Sequence, residues 1–392
     1  MRHRRVISLF ASTALAAVAL AACGGSPAAS HQTKADQTPN SGTKPPAKAA
    51  TAAFPTVQGS QILSLQASQA YKPHPPSGGT DDYHCTLVDP HLTQNSYIVA
   101  SHFFPNSPEV HHAILFEVPP DVAARAKAAD KGGKGWTCFG ETALPGQGLG
   151  ALGQTPWLTA WAPGHGLDQV PAGTGVYFPK GSLVVMQIHY NLLVGDKPVR
   201  AKLMLQTVPA THKLQPLHLD LLPAPPDIPC PAGVHGPLCN RAASLVDLGH
   251  RFGAHLVRFV NLIEQVCGRN PSNPPAGDTT SCVWPLAWSG KILRVTPHMH
   301  LLGTGMKIVL NPGTPGAKTL LDDTHYNFDY QRSFTLPKPV AVKAGDRLQV
   351  TCTYNAKLRQ LLPQLRQLPP RFVTWGDGSS DEMCLGIITW VA

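Results

Sequence analysis

Short runs in which large apolar side chains alternate with smaller or polar ones recur along most of the chain. They fall at 57–65, 96–104, 112–118, 183–193 and 201–209, and again at 291–297, 304–310, 333–342, 347–354 and 383–391. Side chains alternate across a strand, so each run predicts a strand with one face in a core. The stretch 245–266 differs: Leu245, Leu248, Phe252, Leu256, Phe259, Leu262 and Ile263 recur at helical spacing and predict one amphipathic helix. Two segments carry little apolar pattern. Residues 23–53, rich in Ala, Ser, Thr, Pro, Gln and Lys, read as a tether. Residues 213–227, with Pro216, Pro223, Pro225 and Pro226, read as a boundary. The pattern predicts an all-β protein of two β-sandwich domains, 54–212 and 213–392, with one helix inserted in the second.

Composition agrees with that fold class. A chain of 392 residues is long for one core and suits two domains. Its 39 prolines and 35 glycines favour short strands joined by turns, and charged residues make up only 14%. At the start, Arg2, Arg4 and Arg5 precede an apolar segment, 6–22, too short to span a bilayer comfortably. It ends Leu20-Ala21-Ala22-Cys23-Gly24, which resembles the lipobox of bacterial lipoproteins. The expectation is a leader, 1–22, that is removed, and acylation of Cys23. The chain would then be exported and held by its lipid at a membrane of the bacterial envelope, on the periplasmic or extracellular face. Loss of the leader leaves 29 basic against 23 acidic residues with no long Lys/Arg run, so nucleic-acid binding is not indicated.

Eight cysteines remain: Cys85, Cys138, Cys230, Cys239, Cys267, Cys282, Cys352 and Cys384. An even number in an exported chain reads as four disulfides, and no CxxC pair supports a four-cysteine zinc site. Cys230 with Cys239 and Cys267 with Cys282 are short-range candidates flanking the helix, although sequence leaves their connectivity open. Cys352, inside a strand, is a natural partner for Cys384.

Of 18 histidines most stand alone, such as His31, His212 and His250, and read as ordinary solvated or satisfied side chains. Four places differ. His111-His112 opens the run Ala113-Ile114-Leu115-Phe116; neighbours on a regular strand face opposite ways, so both reach one metal only at a strand end or irregularity. His189 shares a strand face with Gln187 and Asn191, a polar row that fits either a site or a solvent face. His298 and His300, in Pro297-His298-Met299-His300, lie two apart on a strand and point the same way, as a chelate requires. Met383, before Cys384, is a core methionine by default. Beside such a histidine pair, however, its soft sulfur would select Cu(I).

In order, the segments HHAILF at 111–116, TAWAPG at 159–164, MQIHYN at 186–191, PHMHLLG at 297–303, VTCTYN at 350–355 and SDEMC at 380–384 resemble the copper type II, ascorbate-dependent monooxygenases. Peptidylglycine α-hydroxylating monooxygenase and dopamine β-monooxygenase are members. The resemblance covers about 55–392 and is weakest over 213–281. It implies two jelly-roll-like sandwiches facing across a solvated cleft, with two coppers per chain. His111, His112 and His189 would hold an electron-delivering copper. His298, His300 and Met383 would hold the catalytic copper that binds dioxygen, and Gln187 and Asn191 would orient an imidazole. It also implies the disulfides Cys85–Cys138 and Cys352–Cys384. The implied function is hydroxylation of a C–H bond in a small organic substrate, using dioxygen and ascorbate or another external reductant. Two positions depart from the peptidylglycine enzyme: Thr296 stands where it has a substrate-binding arginine and Ile387 where it has a tyrosine. That argues against a glycine-extended peptide. The competing readings are a non-enzymatic copper-binding lipoprotein and a zinc hydrolase.

Overall fold

All nine residues of the strand Leu183–Asn191 are buried, and the first half of the protein is organised around it. In a computed structural model, residues 53–75, 79–140, 142–144 and 156–392 are described; the leader, Cys23 and nearly all of the tether lie outside them. Leu183–Asn191 pairs antiparallel with Asp81–Val88 on one side and Val110–Val118 on the other. Trp136–Thr137 and Trp157–Trp161 complete a five-stranded sheet at its edges. A second sheet runs Gln61–Gln66, Lys202–Pro209, Ser96–Phe104, Thr174–Phe178, Gln215–Pro216, with Asp168–Gln169 also pairing to Ser96–Phe104. The sheets close on one core, to which Leu183–Asn191 contributes Val184, Met186, Ile188 and Tyr190, and the other contributes Ile98, Phe103, Leu203 and Leu205. The opposite face of Leu183–Asn191 is also buried: Val185 packs with Cys85, Phe116 and Cys138. The polar row of Gln187, His189 and Asn191 is therefore not a solvent face.

The second half repeats the principle with two four-stranded sheets. One runs His218–Pro223, Cys384–Val391, Gly290–Met299, Phe334–Val342; the other runs Thr279–Pro285, Arg347–Tyr354, Gly303–Leu310, Lys318–Asp323. Ile292, Val295 and Ile388 from the first meet Ile308, Leu348 and Val350 from the second in one core. The protein is thus all-β, as the alternation predicts. Residues 213–227 do more than link the halves: Gln215–Pro216 is an edge of the first half's sheet, and His218–Pro223 is an edge of the second's.

The helical stretch requires a correction. Instead of one helix there are two, Arg241–Phe252 and Ala254–Val266, separated by Gly253 at φ 95° and ψ 156°. That backbone conformation is essentially restricted to glycine. The predicted apolar positions still act as one surface, because Leu248, Phe252, Leu256, Phe259 and Ile263 pack together against Trp375 and Leu385. Periodicity could not detect the break, since both helices turn the same stripe inward. Asn240 caps the first helix, its side-chain oxygen accepting from the Ala243 N–H.

The four disulfides are Cys85–Cys138, Cys230–Cys239, Cys267–Cys282 and Cys352–Cys384. Among the described residues no helix is long and apolar enough to cross a membrane.

Gly253→Ala forces a side chain into the glycine-only conformation and brings its Cβ against the His255 ring. The variant should lose roughly 1–3 kcal/mol of stability, read as a lower urea midpoint at unchanged slope.

Candidate metal centre at the seam of the two sandwiches

The strand Val110–Val118 carries the irregularity that His111-His112 requires. Its register with Leu183–Asn191 slips between Val110, opposite Tyr190, and His112, opposite His189. His111 is therefore bulged out of the ladder, and both rings turn toward His189. The ring centres lie 5.5 Å apart for His111 and His112, 5.2 Å for His111 and His189, and 4.7 Å for His112 and His189. With imidazole nitrogen–metal bonds of roughly 2.0 Å, three rings around one ion have centres roughly 5 Å apart. In the second half His298 is the penultimate residue of the strand Gly290–Met299 and His300 follows it, with ring centres 5.4 Å apart and planes at 90°. Met299 pairs with Cys384, which brings Met383 to the same end of the sheet.

The two sets of histidines lie close together. His112 and His298 have ring centres only 5.7 Å apart, and Phe328 stacks on His111 at 4.0 Å while its ring lies 6.0 Å from that of His300. The imidazoles form one cluster at the seam: His189 and His300 have no exposure, His111 has 4% and His112 8%, and His298 is half-buried.

Burial keeps four of these rings, those of His111, His112, His298 and His300, neutral. It holds His111 and His112 well below the ordinary histidine value, an effect strengthened by the neighbouring His189 ring. Burial pushes His298 down to about 4, against a hydrogen bond with Gln331, and His300 down to about 3, with His298 and His189 adding to it. Neutral imidazole is the form that ligates metals. His111 Nε2, His112 Nδ1, His189 Nδ1 and both nitrogens of His300 are buried with no hydrogen-bond partner. An unsatisfied buried polar group costs about 1–3 kcal/mol, which a metal bond at that nitrogen would offset. Among the described residues, however, no three His, Cys, Asp or Glu groups are already drawn together as a ligand set. The ring spacing and the unpartnered nitrogens are those a metal ligand set needs.

Hydrogen bonds orient the rings through residues that carried no signal in the sequence. Asp81 Oδ1 lies 2.9 Å from His189 Nε2, leaving Nδ1 as the free nitrogen. The same oxygen accepts the Ser379 N–H at 2.9 Å, so this carboxylate joins both sandwiches. Burial pushes Asp81 up, but the His189 ring and the Ser379 N–H outweigh it and hold the carboxyl below its usual value. Tyr83 stacks on His189 at 4.2 Å and donates its hydroxyl across the seam to the Asp377 carbonyl at 2.8 Å. Gln331 Oε1 lies 2.8 Å from His298 Nδ1. The orienting role expected for Gln187 and Asn191 gives way to Asp81: the Gln187 side chain donates to the Cys138 carbonyl, and Asn191 Oδ1 accepts from Leu193.

Met383 is fixed by its loop. Glu382, fully buried, accepts the backbone N–H groups of His300, Leu302, Gly303 and Met383 at 2.7–3.1 Å. Burial pushes its carboxyl up to about 8, against the pull of those donors. Arg251, on the first helix, grips Asp381 with two hydrogen bonds of 2.6 and 2.7 Å. Arg371 Nη1 lies 3.5 Å from the same carboxylate, and Arg359 donates to the Ser380 carbonyl. Beside the cluster the two sandwiches line a cavity of about 1080 Å³ that includes His112, His298 and Met383.

Residues 279–391 match the family model for the copper type II ascorbate-dependent monooxygenase C-terminal domain. That span contains His298, His300 and Met383. A segment of 89 residues is 32% identical to DBH-like monooxygenase protein 2 of Mus musculus, covering 22% of this chain and 13% of that protein. Among solved structures, allantoicase from Saccharomyces cerevisiae is 9% identical, with 85% of this chain and 90% of that one covered at a TM-score of 0.20. A fucolectin from Morone saxatilis serum is 6% identical, with coverages of 85% and 97% and a TM-score of 0.19. At such scores neither carries an argument.

The neutral burial of His300 has a pH signature in metal-free protein. Its folded value lies below the ordinary 6.5, so its contribution is complete above pH 6.5 and declines as pH falls toward about 3. The stability of the wild type relative to His300→Asn should therefore decrease below pH 6.5 by up to about 1.4 kcal/mol per pH unit. Paired urea melts at pH 7.5 and 5 check it; a difference that does not change with pH would contradict neutral burial.

Proposed function

We propose that the chain is a copper-dependent monooxygenase that hydroxylates a C–H bond of a small organic substrate with dioxygen and an external reductant such as ascorbate. The observation that carries the reading is the match of residues 279–391 to the family's C-terminal domain, over a segment that contains His298, His300 and Met383, with His298 and Met383 lining a cavity. His111, His112 and His189 would hold one copper, and His298, His300 and Met383 the other. Bound copper supplies the one-electron redox chemistry by which dioxygen is activated. Three imidazoles accommodate both copper oxidation states, whereas a thioether favours Cu(I). The protein's own contribution is to keep His111, His112, His298 and His300 neutral by burial, to orient His189 through Asp81 and His298 through Gln331, and to fix Met383 through Glu382. The apolar cavity walls would exclude water from the reacting C–H bond.

The four disulfides support an oxidising compartment, and with the basic and apolar start and Cys23 they favour an exported, lipid-anchored protein of the bacterial envelope. The division into domains 54–212 and 213–392, one copper on each, belongs to the same reading.

Metal analysis tests it. Protein loaded with copper should carry two ions per chain, falling to one in Met383→Ala or His298→Ala, with oxygen uptake that depends on ascorbate and rises with substrate. Zinc at full occupancy after growth in copper-replete medium would refute the copper reading. Copper without substrate-stimulated uptake would leave a binding protein rather than an enzyme.

A further inference from the structure

The two sets of candidate ligands differ in what stands behind their rings. His189 Nε2 lies 2.9 Å from Asp81 Oδ1, and both side chains are buried. With Nδ1 left as the unpartnered nitrogen, Nε2 carries the proton and donates it to a carboxylate. His298 has support of the same kind from a neutral group, its Nδ1 lying 2.8 Å from the Gln331 amide oxygen. Neither nitrogen of His300 has a hydrogen-bond partner, and the thioether of Met383 adds no charge to that set.

Asp81 also lacks a lysine or arginine. Among the described residues its one ion pair is with the His189 ring. Its other side-chain hydrogen bonds come from neutral donors, the Ser379 N–H at 2.9 Å on Oδ1 and the Thr80 hydroxyl at 2.8 Å on Oδ2. The carboxylate near the second set is matched differently: Arg251 grips Asp381 through two hydrogen bonds, and Arg371 lies against it. A buried carboxylate is costly unless a cation stands near it. A metal ion on His189 Nδ1 would be that cation, one imidazole away.

The difference acts on oxidation state. A hydrogen bond from a ligating imidazole to a carboxylate makes the ring a more basic ligand. That stronger donation and the field of the negative charge both favour Cu(II) over Cu(I), because the divalent ion carries the larger charge. A neutral amide behind His298 and the soft sulfur of Met383 bias the second set toward Cu(I).

We propose that Asp81 is a positioning residue that, through His189, lowers the reduction potential of copper on the three-histidine set and so directs an electron toward copper on His298, His300 and Met383. The step balances as one electron: the first ion passes from Cu(I) to Cu(II) as the second passes from Cu(II) to Cu(I). No bond or proton need be exchanged. The proposal rests on the two-copper reading but not on hydroxylation.

Full-length His298→Ala protein, which keeps the three-histidine set, is loaded with copper, and its affinities for Cu(I) and Cu(II) are measured by competition with chelators of each ion. Asp81→Asn retains the side chain's shape and an oxygen for the Ser379 N–H but removes the charge. It should weaken Cu(II) relative to Cu(I) at least about tenfold, a rise in potential of about 59 mV for one electron. Asp168→Asn, which loosens the seam at Arg294 and leaves Asp81 untouched, should not move that ratio. Two measurements need no change at Asp81 and decide the matter if Asp81→Asn does not fold. The copper of His298→Ala should have a lower potential than that of His111→Ala, which keeps the second set. Gln331→Glu, placing a carboxylate behind His298, should lower the potential of the latter. A ratio unmoved by Asp81→Asn, or moved equally by Asp168→Asn, would overturn the proposal, as would a higher potential at the three-histidine set or no effect of Gln331→Glu. The expected shifts without substrate-stimulated oxygen uptake would locate the failure in the enzymatic reading alone, and protein that binds no copper would overturn both.

Discussion

A buried carboxylate beside the histidine cluster ties the two halves of the molecule together. Asp81, at the start of a strand in the first sandwich, receives the His189 ring from its own sheet and the Ser379 N–H from the other half. Both bonds are buried, where each is electrostatically stronger than in water and an unpaired partner is correspondingly expensive. The arrangement of the first three histidines is thereby tied to the loop that carries Met383. Neither half can turn freely without stranding a buried polar group.

The loop 375–383 is held from the opposite side by an insertion that the sequence presents only as an extra helix. Arg251 reaches from Arg241–Phe252 to grip Asp381, and Leu248, Phe252, Leu256 and Phe259 cover Trp375 and Leu385. Burial pushes the Asp381 carboxyl up, but Arg251 and Arg371 outweigh it and keep it charged. Glu382 then fastens the turn after His300 through four backbone donors. A thioether has no hydrogen bond of consequence by which to be aimed, so Met383 is positioned through its neighbours. Asp381, Glu382 and the Cys352–Cys384 disulfide supply that support.

How far the site was legible follows from where each signal lay. A strand such as Arg347–Tyr354 was readable to its ends, because Leu348, Val350, Cys352 and Tyr354 make one face a continuous apolar stripe. Asp81–Val88 was not, since its residues are buried although polar, and their partners come from distant segments. His298 and His300 were readable because two-residue spacing is itself geometric. His111 and His112 were ambiguous until the register slip at His111 resolved them. Asp81, Gln331 and the role of Glu382 had no local signature at all. Each acts on a residue 33 to 108 positions away, or 79 to 82 in the case of Glu382, and only the fold brings them together.

The seam and the cavity depend on the same alignment. Arg294 to Asp168, Tyr83 to the Asp377 carbonyl, the Gln331 N–H to the Pro163 carbonyl and Asp81 to Ser379 all cross from one sandwich to the other. None lies in either sandwich core, so loss of one leaves both cores intact while allowing the halves to shift. A shift of even an ångström would leave most of the cavity's apolar area in place but separate Arg294 from Asp168, and the cavity would then contain an unpaired cation. The alignment of the cavity's walls is therefore a property of the interface rather than of any one wall. The residues that maintain it are not those that would hold metal.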